Sequence, residues 1–190
     1  MATYQALTVA LAERLLDQLP GNRPFLFHSA RVAAYAQRVC ARRGQTADTD
    51  VLRWAGTFHD IMVLLPFRLR PWGADYVSDS AELAGVYLTA KGLLDPARIQ
   101  LVQACIQHHH DLRTHPHPLV EAFRLADWLE VSQGLMRAGL TATDMAEVRG
   151  IHPPAGFGQA LAGVILRVMN PIRPIHGFRL FWPVRRYPTP

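Results

Sequence analysis

The residues of this chain best able to do chemistry are His28, the adjacent pair His59-Asp60, Asp127 and the run His108-His109-His110. The pair closes the apolar segment Trp54-Ala55-Gly56-Thr57-Phe58-His59-Asp60, where an imidazole and a carboxylate are costly unless something satisfies them. A metal ion would satisfy both at once. Mixed imidazole and carboxylate ligation suits Fe, Mn, Co, Ni or Zn, with no thiolate to single out zinc. Two histidines and two aspartates leave positions open for water and substrate, the mark of a catalytic rather than a closed structural site.

Each residue alone has a plainer explanation. A lone histidine on an apolar row is usually a hydrogen-bonded core residue. Asp127 could pair with Arg31 or Arg124. The triple histidine could sit at a helix C-terminus, where it favours the dipole. The conjunction argues for ligation, because each group occupies a place where periodicity demands an apolar side chain.

The elements that must position these groups are helical. Apolar spacing predicts a helix over 3–19, ended by Pro20-Gly21-Asn22, and a second from about Pro24 to Arg43, stopped by Gly44. The second carries the row Phe25, Val32, Ala36, Val39, with His28 in the matching place. A third, from about Asp48 to Asp60, turns Val51, Ala55 and Phe58 inward, with His59 four residues after Ala55. Residues 61–77 form a long connection whose apolar content predicts a packed lid; it carries the bases Arg68 and Arg70.

Ser78 or Ser80 is expected to cap a helix reaching about Lys91 and closed by Gly92. Asp95-Pro96 starts another, with the inner row Ile99, Val102, Cys105, Ile106 continued by His109. Leu119 to about Gln133 reads as a helix with Val120, Phe123, Asp127 and Val131 in line, and 141–149 and 156–169 as two more. Five prolines punctuate an extended aromatic and basic tail beyond Asn170. No stretch alternates with period two, so the fold class expected is an all-α bundle. Inward side chains from facing helices are how such bundles build metal sites.

The order His28, His59-Asp60, Asp127 resembles the HD domain superfamily of metal-dependent phosphohydrolases. The flanks fit as well: His28-Ser29-Ala30-Arg31-Val32, Ala55-Gly56-Thr57-Phe58-His59-Asp60 and Leu125-Ala126-Asp127-Trp128-Leu129. The resemblance covers about residues 24–133. It implies an all-α fold for that core, and the helix pattern extends the domain to 1–169, with 170–190 as a tail packed on the domain or docking a partner.

It further implies that His28, His59, Asp60 and Asp127 hold one divalent metal, which lowers the pKa of bound water and polarises a phosphate ester, often in a nucleotide. Asp60 would also orient the attacking water, and His109 or His108 would contact substrate or a second metal. Arg31, Arg68 and Arg70 are the candidate phosphate contacts.

Binuclear members carry a further histidine between the pair and the later cluster. None occurs here between Asp60 and His108, so a single metal is favoured. The acid found three positions after the pair in the bacterial deoxynucleotidase branch is Val63 here, and the Gly-Tyr-Pro tripeptide of cyclic dinucleotide phosphodiesterases is absent. Tyr76-Val77-Ser78-Asp79-Ser80-Ala81 is similar to the stretch after the pair in the cyanamide hydratase-like branch, which would place Asp79 and Glu82 near the site.

Composition bounds the remaining classes. Residues 1–148 hold 14 Lys/Arg against 15 Asp/Glu, whereas 149–190 hold six Arg and no acid, so the net +5 belongs to the tail. Six arginines so dispersed argue against nucleic acid as a partner; a small phosphorylated molecule is the partner that the family resemblance implies. Cys40 and Cys105 are expected as buried, reduced thiols. The N-terminal residues lack the basic start of a secretory signal, and the apolar run Ala160–Leu166 is too short to span a bilayer, so a cytoplasmic protein is expected. Two other readings keep the same scaffold: hydratase or di-iron oxygenase chemistry at the metal site, and a regulatory module that binds through its tail.

Overall fold

The computed structural model describes residues 3–65 and 75–168. They form α1 (Tyr4–Gln18), α2 (Arg23–Arg42), α3 (Thr49–Phe58), α4 (Tyr76–Lys91), α5 (Pro96–His108), α6 (Pro118–Val131), α7 (Ala142–Ile151) and α8 (Phe157–Val168). Short 3-10 turns at Leu19–Gly21 and Ile61–Leu64 complete the regular structure, and no strand occurs among the described residues. The all-α expectation holds. Arg68 and Arg70, most of the expected lid and the tail 170–190 lie outside the described residues.

The helix starts are set by side chains that satisfy otherwise orphaned backbone N–H groups. Thr3 accepts from the Ala6 N–H, Asp48 from Val51 and Asp95 from Arg98. Thr141 and Asp144 form a reciprocal capping box at the start of α7. The expected serine cap of α4 is corrected. Asp75 caps it instead, accepting from the Val77 N–H at 3.1 Å and from the Ser78 hydroxyl at 2.8 Å, so the helix starts at Tyr76. That earlier start brings Tyr76 onto an ordered helical turn. Gly92 ends α4 at φ 61°, a left-handed conformation that glycine adopts without a Cβ penalty.

α2 is the central element, packed against α6 on one side and α3 on another, with α7 and α8 further along it. α5 packs on α3, α4 and α6, and α1 lies on α4. Val32, Ala36, Val39, Val51, Ala55, Phe58, Val102, Ile106, Val120 and Phe123 are fully buried, so the apolar rows all face one core. Cys40 and Cys105 are buried free thiols within it.

The α2–α3 crossing is tightest at Gly56. A Cβ there would lie 2.6 Å from the Ser29 carbonyl oxygen and 3.2 Å from the Ala33 Cβ. Only glycine lets the two backbones approach this closely, and the crossing lies one residue from His28 and three from His59. No helix of the described residues is long and apolar enough to cross a membrane.

Candidate metal centre

His28 projects from the second turn of α2 and is fully buried. α3 ends at Phe58, and His59 caps it, its backbone N–H still reaching the Ala55 carbonyl at 2.9 Å. Asp60 then turns the chain into the 3-10 segment, its side chain 18% exposed. Asp127 faces inward from the middle of α6, and His109 is the first residue beyond α5.

His59 and His109 are oriented by the same local device. The Nδ1–H of His59 donates to the Gly56 carbonyl at 2.7 Å, and that of His109 to the Ile106 carbonyl at 2.6 Å. A carbonyl can only accept, so Nδ1 carries the proton in both rings and each Nε2 keeps its lone pair. A metal-ligating histidine is commonly fixed in this way through its other nitrogen.

The inward atoms converge. His28 Nε2 lies 3.0 Å from His59 Nε2. Asp60 Oδ2 is 3.6 Å from His28 Nε2 and 3.7 Å from His59 Nε2, and Asp127 Oδ1 stands at the same two distances. On the far side, Asp60 Oδ1 is 3.8 Å from His109 Nε2. Donors bonded to one ion at about 2.1 Å are separated by roughly 3.0–3.7 Å when their angles are about 90–120°. Asp60 Oδ1, His109 Nε2 and Asp127 Oδ1 are buried atoms without a hydrogen-bond partner among the described residues. The donor set therefore fits a divalent cation.

Electrostatics points the same way. Burial, which outweighs the Asp60 carboxylate nearby, lowers His59 to about 4, so its imidazole is neutral at physiological pH. Burial likewise holds His109 well below its ordinary range. Burial works against charge on Asp60, but the imidazoles of His59, His28 and His109 outweigh it and keep the carboxyl low. Burial, followed by repulsion from Asp60 and Glu130, pushes Asp127 well above the usual carboxylate range. Two acids whose affinities for a proton are driven apart thus share one pocket with the His59 and His109 rings. Among the described residues neither carboxylate is paired with lysine or arginine.

The arginine pairing considered for Asp127 does not occur. Arg31 bonds Glu130 through Nε at 2.7 Å and donates through Nη1 to the carbonyls of His152 and Pro153. Arg124 is held by Glu121 and the Asp111 carbonyl. The expectation that Arg31 meets a substrate phosphate is corrected by the same contacts, because the side chain is fully buried in this network.

His108 is also placed elsewhere. Its Nδ1 is 2.8 Å from Asp111, its ring packs near His115, and the side chain is partly exposed. α5 ends there, and the turn that follows swings His109 and His110 inward. Asp60, His109 and His110 each offer one donor atom, mutually within 4.8 Å, and His28, His59 and Asp127 form a second such group.

Asp79 and Glu82, tied to the hydratase-like similarity, do not join either group. Glu82 accepts from the Tyr4 hydroxyl on α1 at 2.5 Å. Two site neighbours carry no periodicity signal. Tyr76 stands with its hydroxyl 3.4 Å from His110 Nε2, and burial, then Asp60 and Asp127, raise its phenol well above the ordinary range. Phe157 stacks on His28.

A helical bundle with imidazoles and carboxylates converging from four separate segments defines a candidate metal-binding class of helical protein. Within that class, the HD domain model matches residues 25–132, more than half of the chain, and the protein belongs to the HD domain family. No curated protein matches the chain.

Proposed function

We propose that the protein is a metal-dependent hydrolase that cleaves a phosphate ester, its substrate a small phosphorylated molecule such as a nucleotide. The observation that carries the reading is the convergence of His28, His59, Asp60 and Asp127 on one point, with no lysine or arginine among the described residues paired to the two acids. A divalent transition metal there supplies Lewis acidity and a nucleophilic water near neutral pH. His28, His59 and Asp127 hold it from the dry side. Asp60 is the ligand with a partly exposed side chain, so substrate enters past it, and Oδ1, its oxygen turned toward His109, would orient the attacking water. His109 faces that oxygen and steadies the same water or the ester.

Arg68 and Arg70 would neutralise the phosphate, in a domain comprising 1–169 within a cytoplasmic protein. The test is metal content of the untagged protein, followed by a phosphate monoester and nucleotide screen. About one equivalent of metal, lost in His59→Ala and Asp127→Ala together with hydrolysis, supports the reading. Either variant retaining full metal and full activity overturns it, and little metal even after reconstitution favours the regulatory module.

One observation favours a second reading. The oxygen of Asp60 that faces His109 belongs to a separate donor group with His110, which would let Asp60 bridge two ions. Two equivalents of metal per chain, falling to one in His110→Ala, would establish it. Two irons with visible absorbance in air would move the chemistry toward oxygenation.

A further inference from the structure

Unlike His59 and His109, His28 has no carbonyl holding its second nitrogen among the described residues. Its Nδ1 is buried and without a hydrogen-bond partner among the described residues. A ligand ring left this way could rotate about its side-chain torsions, and each degree of rotation moves Nε2 off the ion. Something else must fix it. The Phe157 ring lies parallel to the His28 ring, at 5° between planes and 4.0 Å between centroids.

We propose that Phe157 is a positioning residue for His28, replacing by stacking the hydrogen bond that orients His59 and His109. The inference rests on the metal reading above and concerns a residue outside the matched span 25–132.

The surrounding structure supports the role. Phe157 is the first residue of α8, 3% exposed, and its own ring is fixed edge-on by Phe25 at 5.8 Å. Leu19 completes that small apolar cluster. The segment leading to Phe157 is tied to the helix that carries His28. Arg31, one turn beyond His28 on α2, grips the His152 and Pro153 carbonyls at 3.2 and 2.6 Å and lies 5.9 Å over the Phe157 ring. Glu130 fixes that arginine from α6, one turn past Asp127. Ligand and stacking partner are therefore referenced to the same anchor. An aromatic face suits an imidazole of either tautomer, because stacking contacts the ring and not its N–H.

The experiment compares Mn²⁺ and Zn²⁺ affinity, by competition against a chelator, in the full-length wild type, Phe157→Leu, Phe157→Trp and Leu19→Ala. Phe157→Leu keeps apolar bulk and loses the face, and affinity should fall about tenfold, as when the orienting partner of a ligand is removed. Phe157→Trp restores a face and should recover most of it. Leu19→Ala removes packing from the same cluster and should lower the melting temperature while leaving affinity within about twofold.

Equal affinity in Phe157→Leu and wild type overturns the proposal, as does an equal loss in Leu19→Ala, which would make the effect one of general stability. A wild type that binds neither metal overturns the metal reading itself, and with it the ligand that Phe157 is said to position.

Discussion

Gly56→Ala isolates the spacing of the first two ligands. The added Cβ would sit 2.6 Å from the Ser29 carbonyl oxygen, whereas carbon and oxygen in close contact rest at about 3.3 Å or more. The partner atom is backbone in the middle of α2, so the relief is a separation of α2 and α3 by about 0.7 Å. That displacement falls between His28, next to Ser29, and His59, whose ring hangs from the Gly56 carbonyl. Metal–ligand distances tolerate only about 0.2 Å. Overpacking costs about 1–3 kcal/mol, and alanine in place of glycine within a helix returns about 1.

The net loss is then on the order of 0–2 kcal/mol, a melting-temperature drop of at most about 8 °C. Metal affinity should fall at least about tenfold. Gly85→Ala is the matched control. Its Cβ would meet the end of the Gln103 side chain at 2.3 Å, which can swing aside for the loss of its bond to the Ala81 carbonyl. Thermal melts and chelator competition on both variants decide the matter. Wild-type affinity in Gly56→Ala, or an equal loss in Gly85→Ala, would refute the claim that this crossing sets the ligand spacing.

Other perturbations separate framework from site. Arg31→Leu leaves Glu130 buried and unpaired, and urea unfolding should show a loss of about 3–5 kcal/mol; intact stability with only a raised KM would return Arg31 to a substrate role. His108→Ala should leave metal content and turnover unchanged and His109→Ala should weaken both, and the reverse ranking would mean that the turn after α5 presents a different histidine. Asp144 is held at about 2 by the Thr141 backbone and hydroxyl and by Arg42, below its ordinary 3.8. A depressed carboxyl stabilises the fold fully above about 3.8 and loses that contribution as pH falls through about 2. Acid melts followed by circular dichroism should therefore show Asp144→Asn weaker than wild type above pH 4, with the gap closing near pH 2; a gap that stays constant would remove the charge from the cap's role.

The parts of this site that were legible in the sequence are those in which one residue breaks a local period. His28 and Asp127 interrupt apolar rows on α2 and α6, and both rows are buried as their spacing requires except at Val131, half-buried at the end of α6. Arg31 was not legible as structural, because the partner that consumes it lies 99 residues away and only the packing of α2 on α6 joins them. The Phe157 stack has the same origin: nothing near Phe157 in the chain signals an imidazole face. His109 was legible as the residue that continues the inner row of α5, and its ring is fully buried although the helix itself stops at His108.

The end of a helix is nevertheless informative. Its last carbonyls have no helical donor, so a histidine at the C-cap can turn back to the carbonyl three residues earlier, and its remaining nitrogen is then aimed away from that helix. His59 and His109 both do this. A C-cap histidine after an apolar row is thus a readable sign of an aimed lone pair. With the boundary at His108, that criterion selects His109, the same residue that the inner row of α5 selects.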